Sequence, residues 1–112
     1  MREPGQRRDA EVHISALQNI CDARIELGQL ELARSACLEA AKASPDDPVA
    51  HYNLAGVYAL LGQPEQALAS LERDFELGDT DWEYLAQDHW FEPLRDDRRF
   101  VNLIARMKQA AH

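Results

Sequence analysis

The chain has 112 residues, a net charge of −8, and 46% hydrophobic and 29% charged residues, which is one domain's length and too apolar for a disordered chain. With 7% aromatics, five Gly and five Pro, a β-sandwich is disfavoured and an all-α protein is expected. No apolar run approaches the roughly 20 residues that span a bilayer, and Met1 to Ala10 has charges with no apolar h-region behind them, so no membrane role and a cytoplasmic location are expected.

The charge is unevenly spread. Residues 1–10 carry +1 and residues 93–112 carry +3, while 16 acids against four bases give residues 11–92 a charge of −12. An acidic middle repels phosphate backbones, so a nucleic-acid partner is not expected.

In chain order, residues 1–8 are predicted to be a flexible tail. The spacing then predicts a helix over 9–27, with Leu17, Ile20, Cys21, Arg24 and Leu27 stepping by three and four along one stripe and Gly28 ending it. A return helix over 30–43 turns Leu30, Ala33, Cys37 and Ala40 inward, and Pro45 and Pro48 flank the next start. Helices over 48–61 and 64–77 repeat the pattern, with Leu54, Ala55, Tyr58 and Leu61 on one stripe, Gly62 at the turn, Pro64 in a first turn where a missing N–H costs nothing, and Leu68, Leu71 and Phe75 inward. Asp79-x-x-Trp82-x-x-Leu85-Ala86 predicts a short helix over 80–89. Trp90 to Asp97 reads as a turn with a bulky anchor. Asp97 then caps a last helix over 97–109 whose Phe100, Leu103, Ile104 and Met107 face inward.

Offsetting the chain by 34 residues aligns Gly28-Gln29-Leu30-Glu31-Leu32-Ala33 with Gly62-Gln63-Pro64-Glu65-Gln66-Ala67, identical at four of six positions. In the same register Ile20 meets Leu54, Leu27 meets Leu61 and Cys37 meets Leu71. Each unit is therefore an antiparallel helical hairpin, and Ala33 and Ala67 are small because the two helices cross closely there.

The pattern resembles the tetratricopeptide repeat family. Its signature positions are matched by Leu17, Ile20-Cys21, Gly28, Ala33, Cys37, Ala40 and Pro45 in the first unit, and by His51, Leu54-Ala55, Tyr58, Gly62, Ala67 and Leu71 in the second. Arg24 stands at the first unit's aromatic position and Asp74 at the second unit's late Ala, so the unit after Asp74 is expected to dock irregularly. The string Leu94-Arg95-Asp96-Asp97-Arg98-Arg99-Phe100, with Leu103 beyond it, resembles the segment that terminates many bacterial arrays of this family. The resemblance implies an all-α fold: about six helices in antiparallel hairpins stacked as a short right-handed solenoid. The domain would run over 9–112, with repeats at 14–47 and 48–78 and an irregular capping repeat at 79–112.

No catalytic constellation is present: the chain lacks a phosphate-cradling loop, a GxSxG elbow, an HExxH pair and a Cys–His arrangement. Cys21 and Cys37, 16 apart, match neither a zinc nor a CxxC spacing and are read as reduced and buried, a disulfide or metal role being the minor alternative. His13, His51 and His89 are spaced at 38 residues, which is not the repeat period, so no shared metal site is expected; His51 sits at a packing position. Asp79, Asp81 and Asp88 lack the Gly and twelfth-position Glu of a calcium loop and read as acids at helix starts. No cofactor or metal is expected, and the protein is read as not an enzyme.

In the family, partners lie along the concave face made by the first helix of each hairpin. The matching positions here are Ser15, Gln18, Asp22, Ile25, Val49, Tyr52, Gly56, Ala59, Glu83 and Gln87, with Gly56 expected to leave a hollow beside Tyr52. The chaperone-tail clamp of related domains, which grips a carboxylate with Lys, Asn and Arg, does not fit, because Gln18, Asp22, Glu83 and Gln87 occupy its basic places. The expected function is a non-enzymatic scaffold or adaptor for a protein or peptide segment with basic and apolar residues. The alternative is a self-associating module, such as a homodimer, or a C-terminal regulatory piece of a larger protein.

Overall fold

Where a helix must stop and reverse within two residues, the backbone has to enter the left-handed region, and Gly28 and Gly62 do so with φ of 75° each. Both ends close alike. Gly28 N–H donates to the Ile25 carbonyl and Gln29 N–H to that of Arg24, and Gly62 and Gln63 repeat this pair on Ala59 and Tyr58. The computed structural model describes residues 16–111.

Helix α1 covers residues 16–26 of the described chain. After it come α2 (Leu30–Ala43), α3 (Pro48–Leu60), α4 (Pro64–Glu76), α5 (Trp82–Gln87), a 3-10 segment (His89–Leu94) and α6 (Arg98–Ala110). No strand occurs among the described residues. The expected tail at 1–8, the start of the first helix, Ser15, His13 and His112 lie outside them.

The hairpins pack as the small residues require. Ala33 and Ala67 are both completely buried where the helices of each hairpin cross, and Ala36, Ala40 and Ala41 continue the close face of α2. Asp47 caps α3, its Oδ1 accepting from Val49 N–H at 2.9 Å while Oδ2 accepts from Gln18 Nε2 at 2.7 Å. His51 Nε2 donates to the Pro45 carbonyl at 2.8 Å, the structural role its position suggested. Asp97 caps α6 by accepting from Arg99 N–H, and the Arg99 side chain beside it holds the Asp97 carboxyl below the usual carboxylate range.

Two expectations need correction. First, the buried stripe of α1 is Leu17, Cys21 and Ile25, whereas Ile20 and Leu27 are exposed. The equivalent Leu54 is buried because α2 lies against α3; α1 begins the repeat array among the described residues, so nothing covers its matching position. Second, Cys21 and Cys37 form a disulfide, with their Cα atoms 5.0 Å apart and both residues fully buried. A spacing of 16 carries no disulfide signature, yet the hairpin sets positions 21 and 37 opposite one another across α1 and α2. The same places in the second unit hold Ala55 and Leu71, also buried, where a small residue meets a large one. The first hairpin puts a covalent bond at the point where the second relies on packing.

A cross-link closing a loop of this length contributes about 3 kcal/mol. Reduction, or Cys21→Ala with Cys37→Ala, should therefore lower stability in urea by about 2–4 kcal/mol. Alkylation of the unfolded, unreduced protein should leave both cysteines unlabelled.

Candidate partner-binding groove

The third unit departs from a repeat immediately after α4. Asp81 caps α5 by accepting from Tyr84 N–H at 3.2 Å, but the helix ends at Gln87, because Asp88 leaves it with extended backbone and caps the 3-10 segment instead, accepting from Trp90 N–H at 3.0 Å. These are the roles at helix starts that the sequence assigned to the acids of this stretch. The 3-10 segment packs against α3, while α5 packs against the 3-10 segment and α6. Phe91 and Leu94 are buried, and Phe91 stacks on Phe100 with ring centroids 6.0 Å apart.

Trp90 turns back onto the concave side. Its Nε1 donates to Glu26 Oε2 of α1 at 2.7 Å, and its ring lies over the α3 backbone at Gly56, where an added Cβ would collide with the six-membered ring. Tyr52 completes the junction by donating its hydroxyl to Asp88 Oδ2 at 2.5 Å, with its ring edge on Phe91 at 5.3 Å. Burial and the Asp88 carboxylate push the Tyr52 phenol far up, so it stays protonated and remains a donor.

Beside this plug an open groove of about 870 Å³ remains. Asp22 and Glu26 line it from α1, Pro48, Val49, Tyr52 and Asn53 from α3, Asp74 from α4, and Asp79, Asp81, Tyr84, Gln87 and Asp88 from the loop and α5 side. Among the described residues lining it there is no Lys or Arg. Val49 and Tyr84 are the exposed apolar groups, 52% and 63% accessible.

Of the residues named from sequence, Asp22, Val49, Tyr52 and Gln87 meet in this groove. Gln18 is engaged with Asp47, and Glu83 is exposed but lies off the lining. Ile25 and Ala59 are buried in the hydrophobic core and do not line the groove. Gly56 leaves no hollow, because Trp90 fills it. Helical register could not show that the last unit folds back over part of the helices that carry these residues. Tyr84, Asp79 and Asp74 were not assigned to the site. The signal for Asp74 was its place at a position that packs as Ala in a regular repeat.

Asp74 is 1% accessible, and among the described residues neither carboxyl oxygen has a hydrogen-bond donor within reach. Its carboxyl neighbour, Asp79, can only share a proton with it. Desolvation first, and Asp79 second, push the Asp74 pKa up to about 9.

A family model described as tetratricopeptide repeat matches residues 24–86, more than half of the chain, and the protein belongs to that family. Tetratricopeptide repeats generally mediate protein–protein interaction and are generally not enzymes. Searches of curated proteins and of solved structures returned no match.

The packing around the groove has two measurable consequences. Gly→Ala inside a helix ordinarily stabilises by about 1 kcal/mol, but Gly56→Ala must displace the Trp90 ring and should destabilise by about 1–3 kcal/mol. In a Trp90→Ala background the same change should be neutral or favourable, as urea melts would show. For Asp74, the folded-state pKa of about 9 lies above the unfolded value near 3.8, so its contribution is fully present below pH 4 and is lost as pH rises toward 9. Asp74→Asn should flatten this decline and raise stability at pH 7 by about 1–3 kcal/mol, measured against wild type across pH 5 to 9.

Proposed function

We propose that the protein is a non-enzymatic adaptor that docks a basic, apolar segment of a partner protein in the groove between α1, α3 and the 78–88 stretch. The observation that carries this reading is the composition of the wall. Six carboxyl groups (Asp22, Glu26, Asp74, Asp79, Asp81 and Asp88) converge on a concavity that no Lys or Arg lines among the described residues, beside exposed Val49 and Tyr84. Complementary potential favours a cationic segment and speeds its encounter, while an exposed aromatic ring offers flat contact area.

Self-association through the basic C-terminus gains no support from the ion pairs. Arg106 makes a paired contact to Glu72 at 2.6 and 2.9 Å, and Arg99 reaches Glu65 at 3.4 Å, so those cations already face acids of their own chain. No helix among the described residues is long and apolar enough to cross a membrane. The Cys21–Cys37 bond supports an oxidising compartment rather than the cytoplasm expected from the sequence.

The test is a peptide-array selection and then calorimetric titration of the selected segments. Tyr84→Ala should weaken binding at least fivefold without loss of fold, and Asp22→Asn should chiefly reduce the salt dependence. Tyr52→Ala is unsuited to this purpose, because Tyr52 also holds the capping unit through Asp88 and Phe91. Unchanged affinity in both variants, with a footprint around Glu31, Glu65 and Glu72 on the outer helices, would place the site on the convex side.

A further inference from the structure

We propose that the α4 side of the groove is a seat for an arginine side chain of the bound segment, with the Asp74 carboxylate as its acceptor and the Tyr52 and Tyr84 rings beside it. This inference rests on the reading of the groove as the docking surface and names the anchor group it takes.

A buried carboxyl in a folded protein normally has donors. Among the described residues Asp74 has none at either oxygen, although it is only 1% accessible and lines a groove open to solvent. Its neighbour Asp79 adds a second acceptor, and two adjacent carboxyls hold at most a shared proton until a donor arrives. Asp79 is otherwise occupied by one bond, accepting from Asp81 N–H at 2.9 Å through Oδ1. What the pair lacks is a multi-donor cation. A guanidinium presents five N–H donors in a rigid planar fork, stays charged when desolvated and stacks on aromatic faces, whereas an ammonium is compact and more strongly hydrated. The Tyr52 and Tyr84 rings, with centroids 5.9 Å apart and tilted by 56°, supply the aromatic wall on the same side. Among the described residues no Lys or Arg lines the groove to compete for it.

Binding is then coupled to a proton. The free carboxyl, with its pKa near 9, is protonated at pH 7 and must ionise to accept the guanidinium, so one proton is released per arginine seated. The other titratable groups in the groove are Asp79 and Asp81 in the loop, Tyr52 on α3, Tyr84 on α5, Asp88 at the cap of the 3-10 segment, His89 at its first residue, and Asp22 and Glu26 on α1.

The experiment titrates the full chain, observed through its backbone amide resonances, with Nα-acetyl-arginine amide. The comparators are the corresponding citrulline amide, which has the same shape without charge, and the lysine amide. The arginine probe is expected to shift the amides of Asp74, Asp79 and Tyr84 saturably and to bind at least fivefold tighter than either comparator. Its affinity should rise by up to about tenfold per pH unit from pH 7 and level off above pH 9. Asp74→Asn should remove both the preference and the pH dependence. Equal binding of citrulline or lysine, an affinity flat with pH in the wild type, or an unchanged Asp74→Asn variant would overturn the arginine seat. A selected partner segment that still binds this groove in Asp74→Asn with unchanged affinity would sink the seat while leaving the docking surface in place. A footprint on the outer helices would sink both.

Discussion

The Trp90 indole lies over the backbone of α3 at the one place on that helix where no side chain stands, and the third unit is organised around this contact. Gly56 permits the approach, Glu26 of α1 accepts the indole N–H, and Asp88 sets the backbone that delivers the ring by capping the segment that starts beside it. Trp90 therefore joins residues 64 positions apart in sequence and spans both hairpins. The apolar face of a stacked repeat needs a neighbour to cover it, and on α3 the cover comes from a 3-10 segment rather than from a third regular hairpin. The same placement covers part of the concave surface and defines the groove that is left.

Asp74 expresses the cost of that arrangement. In a regular array its position would pack a small residue against the next unit, but the next unit here begins with the short α5, which packs mainly on α6 and the 3-10 segment. A carboxyl fits the space that results, and its burial without a donor pushes its pKa to about 9. Groups held in this way detract from stability and concentrate at functional sites. The two tyrosines and the ring of carboxylates around it make the groove chemically distinct from the rest of the surface, where acids pair with bases such as Arg73, Arg99 and Arg106.

The first hairpin meets a different constraint. Among the described residues α1 packs on one side only, with Ile20 and Leu27 left exposed, and a helix with so little covered surface depends on whatever ties it to the array. The Cys21–Cys37 bond ties it to α2, Gln18 ties it to the α3 cap at Asp47, and Glu26 ties it to Trp90. Two of these three links end on residues that build or border the groove, so the groove's α1 wall is only as well placed as those ties.

The sequence by itself determined the helices, their turns and the repeat. These are local matters: apolar residues at three and four spacing choose a face, Gly28 and Gly62 supply the left-handed stop, and Ala33 and Ala67 set the crossing, all within about one 34-residue unit. It also determined the cap at Asp97 and the helix-start acids Asp81 and Asp88, because such roles are read from neighbouring residues, whereas the cap at Asp47 appeared only in the structure. Tertiary structure alone decided that Cys21 faces Cys37, that Ile25 and Ala59 are interior, that Trp90 occupies the space beside Gly56, and that Asp74 ends up buried without a donor. Each of these depends on which elements meet across the fold. Helical register fixes the angle at which a side chain leaves its own helix, but it contains no information on what an irregular unit arriving from 34 or 64 residues away will place there.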